Sequence, residues 1–301
     1  MSQVYRIVHE TTYRYDAAVE DSYGLAYIRP RDLPGQRCLA HEFSIEPDPS
    51  DSYPVSDIQG NGSVYFHVTT PHDRLRIAGV SVVEVSDVVH DEVALAQPWE
   101  GLRPAGATDA RAWAAVEFTL ASPLIEIHQD VVDYAAPSFV AGRPVGEVVD
   151  DLSHRIHADF SYDPQVTTVT STVPDVLARR GGVCQDFAHL LIACLRSHGL
   201  AGRYVSGYLA TVPPAGGARL VGADASHAWA ACWLGGERWL AVDPTNDKRC
   251  DDAHATVAWG RDYGDVPPVR GVIFTDATGS SLEVSVDMRP FTEVADLPTS
   301  G

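Results

Sequence analysis

Lysine is almost absent from this chain of 301 residues: Lys248 is the only one, and the other basic residues are arginines. Acidic residues number 41 against 22 basic ones, and the formal net charge of −19 disfavours electrostatic binding to nucleic acid or to an anionic membrane surface. No apolar run is long enough to span a bilayer, and the first residues lack the basic and then apolar segments of a signal peptide. We therefore expect a cytoplasmic protein with neither nucleic acid nor a membrane as a partner.

The cysteines lack the pattern of a disulfide framework. Their number is odd, they are widely scattered, and no two are spaced as Cys-x-x-Cys, which is typical of reduced thiols in a cytoplasm. His154 and His157 share one face of a predicted helix, but no third ligand follows at a matching spacing. We therefore expect neither a metal nor a cofactor. The five cysteines are Cys38, Cys184, Cys194, Cys232 and Cys250.

The first 95 residues have the pattern of an antiparallel β domain. Alternating, β-branched and aromatic runs predict strands at residues 4–15, 42–45, 64–69 and 75–85. The sequence Gln-Gly-Asn-Gly at 59–62 predicts a tight turn between two of these strands. A passage rich in proline and glycine, residues 97–106, is interpreted as a linker to a second domain.

Residues 107–301 have a mixed pattern, which predicts helices packed on an antiparallel sheet. Helices are predicted at residues 145–158, 175–180 and 184–197, and strands at 203–210, 228–234, 238–242 and 282–287. Apolar residues cover most of the circumference of the third helix, so we expect it to be central and buried. The fold class is therefore α+β: an N-terminal antiparallel β domain (1–95), then a core (107–301) that ends in a C-terminal strand.

Cys184 has the sequence setting of a nucleophile. Gly181 and Gly182 let the backbone turn sharply where a substrate must approach. Cys184 then opens the third helix, where unpaired N–H groups and the positive end of the dipole favour a thiolate. The same N–H groups are suited to bind the oxyanion of a tetrahedral intermediate. A buried structural thiol is the alternative for any free cysteine, but a matched His and Asp downstream favour catalysis.

His227 and Asp243 are the predicted partners of this thiol. If the two strands that contain them pair through a turn centred on Gly235, the two residues lie directly opposite each other. Antiparallel neighbours are about 4.5–5.5 Å apart, which lets a carboxylate fix the tautomer and orientation of an imidazole. Asp224 and Asp247 compete for the third role, and the symmetry with His227 favours Asp243.

Three segments resemble the Cys, His and Asp boxes of the transglutaminase-like superfamily: residues 180–189 (RGGVCQDFAH), 226–229 (SHAW) and 242–245 (VDPT). The N-terminal stretch resembles the β region that precedes this core in bacterial members, through residues 9–15 (HETTYRY), 30–31 and 60–61. The family's C-terminal stretch is similar to residues 259–263 (WGRDY) and 266–271 (VPPVRG). The resemblance thus covers nearly the whole chain.

This resemblance implies a papain-like core in which Cys184 is the nucleophile, His227 the base and Asp243 the group that orients the base. It does not decide the reaction, because the superfamily includes cross-linking enzymes, deamidases, peptidases and inactive members. The metal-dependent animal enzymes are distant relatives, and the chain has no calcium loop of the EF-hand type.

Three further residues are candidates for contacts with the substrate or the oxyanion: Gln185, Tyr162 and Trp229. Two others near the thiol are predicted to be structural. Asp186 lies in the first turn of the Cys184 helix, where a carboxylate caps the helix and favours the dipole. His189 is placed on the helix so that it faces partly away from Cys184.

The trio predicts a cysteine-dependent enzyme that attacks a peptide or carboxamide carbonyl, with a peptide or protein as substrate. Water is the expected acceptor of the thioester's acyl group, because no segment signals a tunnel for an amine. The alternatives are a protein-glutamine transglutaminase and a catalytically silent binding module. Arylamine N-acetyltransferases also have an Arg-Gly-Gly-x-Cys box, but their thiol lies much nearer the N-terminus. The oligomeric state has no signal in the sequence.

Overall fold

The structure, a computed structural model, describes residues 2–104, 110–211 and 226–291. Within these ranges the α-helices are α1 (Glu92–Leu95), α2 (Ala110–Val116), α3 (Gln129–Ala135), α4 (Val145–Asp159), α5 (Val173–Arg179) and α6 (Cys184–Ser197). The strands are β1 (Ser2–Ala26), β2 (Gln36–Glu46), β3 (Asp51–Ser56), β4 (Gly62–Val68), β5 (His72–Ser86), β6 (Ser161–Tyr162), β7 (Gly181–Gly182), β8 (Gly202–Leu209), β9 (Ser226–Trp233), β10 (Trp239–Asp243), β11 (Lys248–Arg249), β12 (His254–Gly260), β13 (Val269–Thr275) and β14 (Ser280–Pro290).

The first sheet is organised around β1, a single strand of 25 residues. The order of the antiparallel strands is β2–β5–β1–β4–β3, and β13 and β14 also pair with β1. Along much of β1, buried positions alternate with more exposed ones, as expected for a strand that packs one face on a core. The predicted turn at 59–62 lies between β3 and β4, with Gly60 at a left-handed φ of 71°.

The last strand belongs to this first sheet. The strand at residues 282–287 is predicted to belong to the core, whereas β14 pairs with residues 5–15 of β1 and β13 pairs with residues 19–26. Pairing between strands so distant in the chain cannot be read from local periodicity. The domain ranges 1–95 and 107–301 stay a prediction.

The second sheet is antiparallel in the order β11–β10–β9–β8–β12, and α6 packs against β8 and β9. The predicted burial of α6 is confirmed, because nearly all of its side chains from Gln185 to Arg196 are buried. Ala228 and Ala230 of β9 share the main core with this helix, whereas Trp229 and Ala231 belong to a separate cluster on the other face. The α+β prediction is confirmed.

Side-chain amides hold the first sheet against the edge strand β12. The Gln36 amide donates to the Thr256 carbonyl at 2.8 Å and accepts from the Thr256 N–H at 2.7 Å. The Asn61 amide makes the same pair of bonds with the backbone of Trp259, at 2.8 and 3.0 Å. Each amide therefore satisfies backbone groups of β12 as a further strand would.

The passage at 97–106 is not a simple linker where the structure describes it. Trp99 and Leu102 form a short 3-10 turn and are 6% and 4% exposed within the main core. The pattern of prolines and glycines predicts a turn, but the aromatic and aliphatic residues between them are buried. In the described parts of the chain, no helix is long and apolar enough to cross a membrane. The cytoplasmic location stays a prediction.

Candidate active site

Cys184 is the first residue of α6 and follows a backbone reversal that depends on glycine. Arg180 ends α5 in the left-handed region, with a φ of 54°. Gly181 and Gly182 then pair in parallel with β6. A Cβ on Gly182 would lie only 2.7 Å from Oδ2 of Asp186, so no larger residue fits without movement. The Cys184 side chain is left partly exposed at the N-terminus of α6.

Asp186 and His189 support the helix rather than the reaction. The Asp186 carboxylate accepts from the Val183 N–H at 2.8 Å and from the Thr167 hydroxyl at 2.7 Å, so its predicted role as a cap is confirmed. Burial raises the pKa of this carboxyl. His189 is buried, accepts from the Tyr263 N–H at 3.1 Å, and has its pKa lowered to about 4 by burial.

His227 and Asp243 are joined by a hydrogen bond of 2.7 Å between the imidazole Nε2 and the carboxylate Oδ2. Their side chains are 11% and 0% exposed. Because Nε2 donates to Asp243, Nδ1 is the ring nitrogen left for the Cys184 side chain, which lines the same cavity as His227. The structure therefore brings the three predicted residues together.

The predicted register between β9 and β10 is wrong by two residues. Trp233 pairs with Trp239, which centres the turn on Gly236 and makes His227 and Asp243 diagonal neighbours rather than direct partners. A shift of two residues leaves every side chain on its own face, because the period of a strand is two. The contact between imidazole and carboxylate therefore survives the error.

Asp243 is surrounded by donors. Its Oδ1 accepts from the N–H groups of Thr245 and Asn246 at 3.0 and 3.3 Å. Its Oδ2 accepts from the Asn246 side-chain amide at 2.7 Å and from His254 Nε2 at 3.3 Å, in addition to His227. Burial alone would raise the pKa of this carboxyl, but the hydrogen bonds from His227 and His254 outweigh it and hold the pKa well below its usual range.

Of the other two candidates for the third role, only Asp247 lies in the described structure, and it bonds to another histidine. Asp247 binds Nδ1 of His154 at 2.7 Å, on the exposed side of α4. Asp224 lies outside the described residues. His157 Nδ1 donates to the Thr245 carbonyl at 3.0 Å. Among the residues described, no group of His, Cys, Asp or Glu side chains is arranged to hold a metal ion.

The pKa of His227 reflects competing influences. Burial of the ring lowers it, but the hydrogen bonds with Asp243 and Cys184 outweigh burial and raise the pKa to about 9. The imidazole is therefore protonated at neutral pH. A protonated imidazole beside a thiol is the arrangement that stabilises a thiolate.

His254 extends the network, and sequence reasoning missed it. Its Nε2 lies 3.3 Å from Asp243 Oδ2 and its Nδ1 lies 2.8 Å from Asp251 Oδ1. Burial lowers its pKa, but the hydrogen bonds with the two carboxylates outweigh burial and raise it. Lys248, the single lysine, binds the other oxygen of Asp251 at 3.0 Å. The available signal was the alternation in residues 254–260, which form β12.

Two segments of the chain match known families. Residues 135–244, which contain Cys184, His227 and Asp243, match the Transglutaminase-like superfamily, and residues 5–84 match the Bacterial transglutaminase-like N-terminal region. The chain belongs to the transglutaminase-like superfamily. His254 and the strands β12 to β14 lie beyond both matched segments.

Similar proteins match nearly the whole chain or about a third of it. An uncharacterized protein of Mycobacterium tuberculosis is 49% identical over 294 residues, which are 95% of this chain and 93% of that protein. A protein-glutamine gamma-glutamyltransferase of Pseudomonas aeruginosa is 34% identical over 106 residues, 34% of this chain and 16% of that protein. The crystal structure of a candidate cysteine protease from Cytophaga hutchinsonii has the same fold, with a TM-score of 0.73 at 19% identity over 99% of this chain and 96% of that one.

The Cys184 side chain opens into a cavity of about 390 Å³, here named the Cys184 cleft. The superfamily core contributes Tyr204 and His227, and the first sheet contributes Thr11 and Tyr13 from β1. Leu282 and Val284 of β14 complete the same wall. His227 is the only ionisable side chain, other than thiol and phenol groups, among the described residues of the lining. Apart from His227 and Cys184, the described lining of the cleft is therefore uncharged and partly aromatic.

The three lesser candidates lie in different places. Tyr162 lines the Cys184 cleft and is 58% exposed. Gln185 also lines it, but its side-chain N–H already donates to the Val169 carbonyl at 3.1 Å. Trp229 is not part of the cleft: it is 1% exposed, lies across Gly207, and lines a separate cavity on the other face of the second sheet. Trp229 is thus corrected from a candidate contact to a packing residue.

Proposed function

We propose that the protein is a cysteine-dependent acyl-transfer enzyme in which Cys184 is the nucleophile, His227 the acid and base, and Asp243 the group that orients His227. The observation that carries the proposal is the buried bond of 2.7 Å between His227 and Asp243, with Cys184 at a helix N-terminus beside the same imidazole. Membership of the transglutaminase-like superfamily supports it.

In the first half of the reaction, the thiolate sulfur of Cys184 attacks the carbonyl carbon of an amide. The new C–S bond leaves a tetrahedral oxyanion, for which the backbone N–H groups in the first turn of α6 are the proposed donors. His227 then gives its Nδ1 proton to the leaving nitrogen, the C–N bond breaks, and ammonia or an amine departs. The acyl group stays on Cys184 as a thioester.

In the second half, water attacks the thioester and gives a proton to Nδ1 of His227. The C–S bond breaks, a carboxylic acid leaves, and the thiolate–imidazolium pair is restored. Asp243 keeps the proton on Nε2 throughout, so Nδ1 is always the nitrogen that exchanges protons with the reacting groups.

The lining of the cleft supports a substrate that is neutral and at least partly apolar next to the reacting amide. No carboxylate, lysine or arginine among the described residues lines the Cys184 cleft. A charged substrate group there would have no partner and would lose hydration. We therefore propose a peptide or protein amide with a neutral side chain as the acyl donor, and we propose that the first sheet restricts which substrates enter.

The silent binding module is the alternative of another class, and thiol labelling separates the two. Cys184 and Cys38 are both partly exposed, so Cys38 is an internal control for access. Iodoacetamide should alkylate Cys184 much faster than Cys38, and His227→Gln should slow only the Cys184 reaction, as measured by peptide mapping. Equal rates for the two thiols in the native chain would contradict an activated nucleophile.

Hydrolysis rather than cross-linking is the proposed outcome, because water is the default acceptor unless binding energy favours an amine. The relative named as a protein-glutamine gamma-glutamyltransferase makes amine transfer the second candidate. The enzyme is incubated with a glutamine-containing peptide and a labelled primary amine at millimolar concentration, with Cys184→Ala as control. We expect formation of the free acid to exceed incorporation of label. Faster incorporation of label would replace the hydrolase by a transglutaminase.

A further inference from the structure

A second cavity, of about 440 Å³, lies on the face of the second sheet that points away from α6. Its floor is formed by side chains of that sheet, among them Arg203, Trp239 and Trp259. The segments 33–36 and 85–90 of the first sheet form its opposite wall. We name this cavity the Arg203 pocket.

Arg203 lies between two indole rings. Its guanidinium carbon is 4.2 Å from the centre of the Trp239 ring and 3.9 Å from that of Trp259. Stacking satisfies the two faces of the guanidinium, but its N–H groups point outward in the plane and need acceptors. The Nε of Arg203 is fully enclosed and has no hydrogen-bond partner among the described residues.

Arg196 of α6 is a buried arginine that has the acceptors Arg203 lacks. Arg196 is 3% exposed, and its Nε donates to the carbonyl of Phe118 at 2.9 Å while its Nη2 donates to that of Gly202 at 2.9 Å. Arg31, which stacks on the far face of Trp259 at 3.5 Å, donates to the Gln59 carbonyl at 3.2 Å. Arg203 therefore differs from both, because its guanidinium is stacked but finds no acceptor among the described residues.

No carboxylate of the described chain neutralises Arg203. Asp251, which lines the Arg203 pocket, is bound by His254 and Lys248. Asp87, also in the lining, is exposed, and it makes no ion pair with Arg203. Burial, together with repulsion from Arg31, lowers the pKa of Arg203 to about 9, so the group keeps its charge at neutral pH. Arg203 as a whole is half-buried, but its enclosed Nε has no acceptor among the described residues, and an enclosed N–H without an acceptor is costly.

We propose that the Arg203 pocket binds a small molecule that carries a carboxylate or a phosphate. The anionic group would accept hydrogen bonds from the Arg203 guanidinium, which is suited to two parallel bonds with either chemistry. The apolar part of the ligand would lie against the indoles of Trp239 and Trp259. The site is separate from the Cys184 cleft, and it does not depend on the function proposed there.

The test uses the full chain with Cys184→Ala, so that catalysis plays no part. Benzoate and phenyl phosphate are the anionic probes, and benzamide is the neutral probe of nearly the same shape as benzoate. Binding is followed by tryptophan fluorescence, since two indoles flank Arg203, and by titration calorimetry. We expect saturable binding of at least one anion and at least about tenfold weaker binding of benzamide, the range for a charge-assisted hydrogen bond. Benzoate alone would assign a carboxylate ligand, and phenyl phosphate alone a phosphate.

Substitutions locate the binding. Arg203→Gln should weaken anion binding by at least about tenfold, whereas Arg31→Gln, which removes the guanidinium on the other face of Trp259, should leave it unchanged. Thermal melting shows whether each variant is folded. If Arg203→Gln fails to fold, the comparison of benzoate with benzamide on the parent chain still decides. Benzamide that binds as tightly as benzoate, or no binding of either anion, would overturn the proposal.

Discussion

The Cys184 cleft and the Arg203 pocket share no lining residue, and both take a wall from the first sheet. At the cleft, the charged groups are partnered within the chain: His227 in the lining bonds to Asp243 behind it, and Asp243 accepts from several donors. In the pocket, Arg203 has an indole on each face, but its Nε has no acceptor in the part of the chain that the structure describes. The catalytic side chains therefore have their hydrogen-bond partners before a substrate binds. Arg203, in contrast, would gain an acceptor only from the proposed anionic ligand.

The largest effect is expected from a substitution that removes the Asp243 carboxylate, the hydrogen-bond partner of His227. Asp243→Asn should lower kcat/KM by about 10³- to 10⁴-fold, because an amide can hold the wrong tautomer of His227. Circular dichroism and thermal melting check that the variant is folded.

Asp247→Asn is the matched control, since Asp247 is an aspartate of the same loop that binds His154 instead. Its kcat/KM should stay within a few-fold of the parent value. An equal loss in both variants would mean that the loop, and not the contact with His227, matters.

A smaller effect is expected from a substitution in the part of the Cys184 cleft that the first sheet forms. Tyr13 lines the Cys184 cleft, and Tyr15 stacks on Tyr13 with ring centres 6.4 Å apart but is not in the lining. Tyr13→Ala should raise KM for a good peptide substrate by about tenfold and leave kcat nearly unchanged, the scale expected for lost apolar contact. Tyr15→Ala is the control, and a similar rise in KM there would point to a general loosening of the sheet.

The mildest test changes only the pH. The reaction needs the His227 imidazolium to protonate the leaving nitrogen, so kcat/KM should fall as the pH rises through about 9, the raised pKa of His227. Because this folded-state pKa lies above the ordinary value of 6.5, the linked stabilisation is fully present below pH 6.5 and is lost as the pH rises through about 9.

Urea unfolding at a series of pH values between 6.5 and 9 measures that loss. In Asp243→Asn the alkaline limb of activity should move to lower pH, since the bond to Asp243 is the largest influence that raises the pKa. If the fall in kcat/KM at alkaline pH stays at the same pH in this variant, a group other than His227 causes it.

The parts of the site that depend on local pattern could be predicted from the sequence. The start of α6 at Cys184 followed from the two glycines and the apolar helix, and the contact between His227 and Asp243 followed from two strands joined by a short turn. The predicted turn is one residue too early, which shifts the pairing of the two strands by two residues. A shift of two residues keeps both side chains on the same face.

The parts that depend on distant contacts could not be predicted. The pairing of β14 with β1 joins opposite ends of the chain and puts Leu282 and Val284 into the wall of the cleft. His254 acts on Asp243 only because β12 joins the second sheet beside β8, and that strand was not recognised. Trp229 was placed in the cleft because its position along the chain, next to His227, did not reveal which cavity its side chain faces.

The bond between Asn61 and the backbone of Trp259 has a chemical consequence over time. Asn61 is followed by Gly62, and an Asn–Gly pair is prone to deamidation because the small glycine lets the next N–H attack the side-chain carbonyl. In the closed protein both amide atoms of Asn61 are held by Trp259, and its nitrogen also donates to Asp57 at 2.8 Å. An aspartate formed there would set a carboxylate against the Trp259 carbonyl and against Asp57. Deamidation of Asn61 is therefore expected only when the first sheet moves away from β12. The aspartate formed would then weaken the contact that holds the two together.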